Sequence, residues 1–227
     1  IVDASFSAGP GEVTAIIGGT GSGKSTLVNL ILRFYDIDSG SILIDGVDIR
    51  EMTQESLRAK IGFVPQESFL FTGTIADNIR YGNEGATDEE LKRAAQIAQA
   101  TEFISKMEDG FDSVIAQAGT NISGGQKQRL SIARALVREA EIYIFDDSFS
   151  ALDFKTDAKL RSALKEEIAE ATIFIVAQRV STIMDADQII VLEGGRIVGI
   201  GKHKELLETC EVYKEIVYSQ LSEEEIA

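Results

Sequence analysis

Nine consecutive residues, Gly18-Gly19-Thr20-Gly21-Ser22-Gly23-Lys24-Ser25-Thr26, contain the pattern G-x-x-x-x-G-K-[ST]. Each residue type has a physical task in it. The glycines let successive backbone N–H groups curl around a polyphosphate, and a helix start adds partial positive charge. Lys24 reaches the β- and γ-phosphates, and the Ser25 hydroxyl ligates Mg2+. A phosphate loop needs a second metal ligand. Asp146, closing the apolar run Ile142-Tyr143-Ile144-Phe145, supplies it. Asp147 comes next and is the candidate to orient and polarise an attacking water. Gln66 follows another apolar run, residues 61–64, and offers a neutral amide to Mg2+ or to that water. These residues predict a nucleoside triphosphate site.

The elements around them are legible from periodicity. Residues 13–17 predict the strand before the phosphate loop. Residues 24–34, with Leu27, Leu30, Ile31 and Phe34 at helical spacing, predict the helix after it. A strand from Phe6, turned at Gly9-Pro10-Gly11, is expected upstream. Asp45-Gly46 between apolar runs 42–44 and 47–49 signals a hairpin. A short helix over 54–60 leads to a strand over 61–64. From 65 to 138 polar turns alternate with helical segments, and no strand is predicted. Thr87 and Glu90 form a capping box opening a helix to about residue 100. Further helices follow over 101–107 and 126–138. Beyond them the pattern predicts strand 142–145, helix 153–170, strand 172–176, a short helix over 180–184 and strand 188–192. Two short helices over 204–220 and a frayed acidic tail over 222–227 complete it. Strands alternating with helices argue for an α/β fold with a parallel sheet. Residues 69–138 read as a helical lobe inserted into an α/β core formed by residues 1–68 and 139–227.

Composition bounds the function. With 227 residues and 44% hydrophobic content the chain can bury one core. A net charge of −15 repels phosphate-rich polymers, which argues against nucleic acid as a partner. The single cysteine, Cys210, excludes an internal disulfide and reads as a packing residue. It fits a reducing compartment, so a cytoplasmic location is expected. No run approaches the ~18 apolar residues of a membrane helix. Residues 1–6 lack the charged and apolar regions of a signal peptide, and the missing initiator Met predicts a piece of a longer polypeptide.

Beyond the phosphate loop, four segments extend the pattern: Val64-Pro65-Gln66, Ile122-Ser123-Gly124-Gly125-Gln126, Asp146, and Ser150-Ala151-Leu152-Asp153. In this order the chain resembles, over nearly its whole length, the nucleotide-binding domain of ATP-binding-cassette (ABC) transporters. The Ser-Gly-Gly-Gln signature is the specific element. The resemblance implies a P-loop NTPase (RecA-like) core with an inserted α-helical subdomain and an N-terminal antiparallel β portion, here truncated. It implies ATP and Mg2+ as ligands, and two domains sandwiching two ATP molecules head to tail. Ser123, Gly124, Gly125 and Gln126 would then serve an ATP held by the partner, with Asp153 in the adjoining loop. As a helix N-terminus facing outward, Ser123 and the N–H groups after it form an anion site, and Ser123 also suits a helix cap. Residues 70–79 and 201–207 are similar to the exporter branch. That branch implies a transmembrane domain fused N-terminally and a place at the cytoplasmic face of the cell membrane.

Three positions depart from the family pattern. Asp147 stands where a glutamate polarises water, and the lost methylene removes about 1 Å of reach. Gln178, in Ala177-Gln178-Arg179-Val180-Ser181-Thr182, stands where a histidine contacts the γ-phosphate; an amide hydrogen-bonds phosphate without becoming cationic. Residues 113–119 carry no charge where exporters often have a charged loop. His203, the only histidine, belongs to another motif and reads as a surface residue. An intact signature beside two altered catalytic positions resembles the degenerate-site half of a heterodimeric exporter, weakly active in isolation. The alternatives are a homodimeric exporter domain with two slow sites, a soluble ABC-type ATPase, and a non-hydrolysing module that senses ATP.

Overall fold

The apolar run before the phosphate loop forms β1 (Val13–Gly18), and the loop opens α1 (Lys24–Ile31), in a computed structural model that describes residues 1–222. Asp45 and Gly46, at φ of 52° and 78°, turn β2 (Leu43–Ile44) into β3 (Val47–Asp48). Two such left-handed residues match the twist of a hairpin. Thr53 caps α2 (Gln54–Ala59), which runs into β4 (Ile61–Val64). The middle of the chain forms β5 (Gly73–Thr74), α3 (Ile75–Arg80), α4 (Asp88–Ile97), α5 (Thr101–Ile104), β6 (Val114–Ile115) and α6 (Gly124–Leu136). Next come β7 (Ile142–Asp146), α7 (Phe154–Glu167), β8 (Thr172–Val176), β9 (Gln188–Glu193) and β10 (Arg196–Gly201). Helices α8 (His203–Thr209) and α9 (Glu211–Gln220) follow.

Among the described residues, six strands form one sheet in the order β10-β9-β1-β8-β7-β4. All neighbours run parallel except β10 and β9. A parallel sheet is covered on both faces, which is why its strands are apolar throughout rather than alternating with polar residues. Their side chains still alternate between two cores. Ala15, Ile17, Phe145 and Ile175 join Leu130, Leu160 and Tyr213 on one face, while Ile16, Ile144, Phe174 and Ile190 join Val28, Ile31 and Leu57 on the other.

Register decides where the chemistry collects. Val176 lies beside Ile16 on one side and Asp146 on the other, and Phe145 lies beside Val64. The carboxyl ends of β1, β8, β7 and β4 therefore finish level. The segments leaving them, which carry the phosphate loop, Gln178, Asp147 and Gln66, meet at one edge, where open parallel sheets bind ligands.

A half-buried guanidinium helps tie the middle helices to that edge. Arg134 of α6 donates to Asn78 O at 2.8 Å, to Phe69 O at 2.8 Å and to Asn78 Oδ1 at 2.9 Å. Asn78, fully buried, donates in turn to Phe71 O and Thr74 O. The loop that follows Gln66 is thereby fastened to α6.

Several expectations are corrected. Residues 1–12 form no strand; Phe6 instead packs edge-on against Phe174 below the sheet. The stretch between 65 and 138 does contain strands, the two-residue pair β5 and β6. The Asn121 side chain braces that pair, bonding to Ala116 N–H and Val114 O. Strand β10 went unpredicted because Gly199 and Gly201 weaken its pattern, yet Gly194 and Gly195, at φ of 53° and 78°, supply the left-handed turn that folds it back on β9. Helix α1 ends at Ile31, so Phe34 leaves the core face and lies under Arg58. Residues 180–182 make a single 3₁₀ turn. His203 is no surface residue: it is buried, with Nδ1 2.7 Å from Tyr213 Oη. The acidic tail beyond Ser222 lies outside the described residues.

Candidate functional site

Gly18 brings β1 to the phosphate loop at close quarters. A Cβ there would lie 2.1 Å from Leu192 O and 2.6 Å from Ser22 Oγ, so no larger residue fits. Lys24 folds back over the loop, its Nζ donating to Gly18 O at 2.8 Å and Gly19 O at 2.9 Å. Burial lowers the pKa of the Lys24 amine, and the carboxylates of Asp147 and Asp146 offset part of that. Helix α1 starts at Gly23 with no side-chain cap, which leaves its first N–H groups without intrahelical partners. Added Cβ atoms at Gly19 and Gly21 would meet nothing within 4 Å, so this face of the loop is open to a ligand. Ser22 is the exception within the motif. Its side chain is buried, its N–H donates to Gly19 O and its carbonyl accepts from Gly195 N–H, so it supports the loop from behind.

The acids stand at the end of β7, with β8 between it and β1. Ser25 Oγ donates to Asp146 Oδ1 at 3.2 Å, which puts both expected metal ligands side by side. Burial raises the Asp146 carboxyl above its ordinary range, against the Ser25 hydrogen bond and Lys24. Asp147 holds a left-handed φ of 47° and donates its N–H to Val176 O at 2.9 Å. Its Oδ2 accepts from Gln178 Nε2 at 2.7 Å and from Gln66 Nε2 at 3.3 Å. Burial pushes the Asp147 carboxyl up as well, and Asp146 pushes it further, while Lys24 and Arg179 pull it down. The amides of Gln178 and Gln66, the other two candidate catalytic residues, thus converge on one carboxylate oxygen of Asp147.

A cavity of about 480 Å³ joins these groups, lined by Gly19, Thr20, Gly21, Gly23, Lys24, Ser25, Thr26, Gln66, Asp146, Asp147 and Gln178. Ile216, Ser219 and Gln220 of α9 close one side. No sequence pattern pointed to these three. Arg179 was also missed as a working residue: its guanidinium donates to Ser150 O at 2.9 Å and stacks over Phe154. Its place directly after Gln178 was the available signal.

The remaining candidates stand off this cavity. Ser123 Oγ accepts from Gln126 N–H at 3.2 Å, and Gln126 Oε1 accepts from Ser123 N–H at 2.8 Å, so this pair caps α6. Gly124 is exposed, with nothing within 4 Å of an added Cβ, and Gly125 lies against Ala151 O. Asp153 caps α7, accepting from Thr156 N–H at 2.9 Å and from its hydroxyl at 2.7 Å.

The donor set suits Mg2+ bound with a nucleotide. Among the described residues no group of three or more His, Cys, Asp or Glu residues could hold a metal alone. One hydroxyl and one carboxylate match a hard cation that takes its other ligands from phosphate oxygens and water. No helix among the described residues is long and apolar enough to cross a membrane.

Level parallel-strand ends, a phosphate loop at an uncapped helix start and a buried acid bonded to the loop serine define a P-loop nucleotide-binding domain. The ABC transporter family model matches residues 1–150. An uncharacterized ABC transporter ATP-binding protein of Mycobacterium bovis is 51% identical over 221 residues, covering 96% of this chain and 38% of that protein. An ATP-dependent lipid A-core flippase of Vibrio vulnificus is 45% identical over 220 residues, again 96% of this chain and 38% of that protein. The solved structure of a bacterial Atm1-family ABC exporter with ATP bound superposes with a TM-score of 0.91 at 44% identity, covering 94% of this chain and 38% of that one. The chain belongs to the ABC transporter family and is its ATP-binding domain, of a class that hydrolyses ATP with Mg2+. It spans 38% of the length of these relatives.

Proposed function

We propose that this chain couples ATP binding and hydrolysis to export, as the half of an asymmetric pair whose own site turns over slowly. The observation that carries this reading is the 2.7 Å hydrogen bond from Gln178 Nε2 to Asp147 Oδ2, reinforced by Gln66. A general base must present a free lone pair within about 3 Å of its proton. Here the shortened carboxylate is engaged by two amides on its own wall, and the second catalytic position offers an amide where a cation is needed.

The remaining residues support ATP binding. Lys24 and the N–H groups at the start of α1 hold the phosphates, and Ser25, Asp146 and Gln66 hold Mg2+. When bound, Mg2+ neutralises phosphate charge beside two buried carboxylates. Residues 69–138 form the helical subdomain, residues 1–68 and 139–227 the core, and Ser123 to Gln126 with Asp153 complete the site on a second, non-identical nucleotide-binding domain. A transmembrane domain fused N-terminally would place the chain at the cytoplasmic face of the cell membrane, away from nucleic acid. Alone, the domain is a weak ATPase. Turnover of the purified domain, of its partner and of their mixture tests this. The mixture should exceed either alone by about tenfold; a domain that hydrolyses ATP as fast alone as in the mixture would overturn it.

A further inference from the structure

Gln220, the last residue of α9, uses both ends of its amide on one short backbone stretch 42 residues away. Its Nε2 donates to Gln178 O at 2.8 Å, and its Oε1 accepts from Val180 N–H at 2.9 Å. One planar amide thus grips residues 178 to 180 as a neighbouring strand would, satisfying a donor and an acceptor that no sheet partner reaches. The two side chains leaving that stretch both work at the strand-end edge. Gln178 donates to Asp147, and Arg179 donates to Ser150 O in the loop before α7. Helix α9 is a firm base for the grip, since Tyr213 and Val217 are fully buried and Tyr213 Oη meets His203.

We propose that Gln220 is a positioning residue through which the C-terminal helix aims the Gln178 amide and the Arg179 guanidinium. The docking of α9 therefore sets the geometry around Asp147. The proposal rests on the ATPase reading for its kinetic consequence only.

The test uses the complete transporter, with the partner's own phosphate-loop lysine replaced so that only this chain's site is counted. Gln220→Ala removes both bonds, whereas Gln220→Glu keeps the acceptor for Val180 and turns a carboxylate toward Gln178 O. Hydrogen exchange at the Val180 amide should quicken at least ~10-fold in Gln220→Ala and much less in Gln220→Glu, with β1 amides unchanged. The kcat should rise ~5-fold, because the amide that engages Asp147 is no longer held on it, while the KM for Mg-ATP stays within ~2-fold, because the phosphate loop is untouched. In a Gln178→Ala background the rise from Gln220→Ala should shrink, since part of what Gln220 aims is gone.

Unchanged Val180 exchange would overturn the proposal. So would a kcat that falls, a kcat rise equal in both backgrounds, or faster exchange throughout α9 and β1, which marks a merely structural role. If the wild-type protein turned over no Mg-ATP, the ATPase reading would fail, and Val180 exchange would still decide whether the grip exists.

Discussion

The chain contains two glycine-rich helix starts, at Gly18 to Thr26 and at Ser123 to Gln126, and they are the same local device in opposite surroundings. The first is walled in: Lys24 is hooked over it, Ser25 is bonded to Asp146, α9 closes one side, and its N-terminus has no side-chain cap. The second is capped by its own Ser123 and Gln126 and faces solvent at Gly124. A helix N-terminus attracts anions in either place. Only the first has the cation, the acid and the cavity needed to hold a triphosphate within this chain. The second lacks them, which is the physical reason for the proposal that it is lent to a partner.

The largest expected effect tests the complete site. Lys24→Ala removes the ammonium that closes the loop and offsets the charge of two buried carboxylates, so Mg-ATP affinity measured by calorimetry should fall by at least ~100-fold. Retained affinity would mean that the loop amides suffice, and the contrast between the two helix starts would collapse.

Gly124→Asp tests the second helix start. The added side chain meets open space, and an acid in the first turn of a helix favours folding, so the melting temperature should not fall. Its charge opposes an approaching phosphate. Turnover of the assembled pair should drop ~30-fold while the affinity of this chain's own loop for ATP changes less than ~2-fold. Equal loss at both would show the two regions to be one site.

Which parts of this arrangement were legible in sequence follows from how far apart the partners lie. The phosphate loop, Asp146, the capping box at Thr87 and the helix cap at Ser123 are local patterns; the structure caps both helices and sets Ser25 beside Asp146. The convergence of Gln66, Asp147 and Gln178 depends on strand register, which period-two reading does not fix. The wall formed by Ile216 and Ser219 depends on where the last helix docks, and nothing in its apolar spacing says so. Ser22 shows the reverse error: it satisfies the motif by position, while its side chain turns inward because Gly18 leaves it room beside the sheet. His203, between Lys202 and Lys204, reads as a surface residue, yet it is buried, and Tyr213 of the next helix supplies its hydrogen bond.

A tenfold effect addresses the walled site alone. Asp147→Glu combined with Gln178→His restores the reach of the acid and a ring that can carry charge, and it removes the amide now occupying Oδ2. Single-turnover hydrolysis at this chain's own loop should rise by about 10-fold, the lower range for a positioned general base. No rise would locate the slowness elsewhere, for instance in the hold of Gln66 on the same carboxylate.

The smallest effect separates charge from backbone at Asp147. Burial raises its folded-state pKa, so the folded protein binds the proton more tightly than the unfolded chain. Ionisation therefore works against folding: the penalty is absent below the unfolded value, near ~4, grows as pH rises through the folded value, and is complete above it. Asp147→Asn removes that penalty and keeps an acceptor for Gln178. The variant should melt ~2 °C higher at pH 7.5, and the gain should vanish toward pH 4. Asp and Asn both tolerate the left-handed φ of 47°, and any greater ease of Asn there would be independent of pH. A gain that persists at pH 4 would assign the strain to the backbone turn, and one that closes would assign it to a carboxylate buried to hold a site rather than to stabilise the fold.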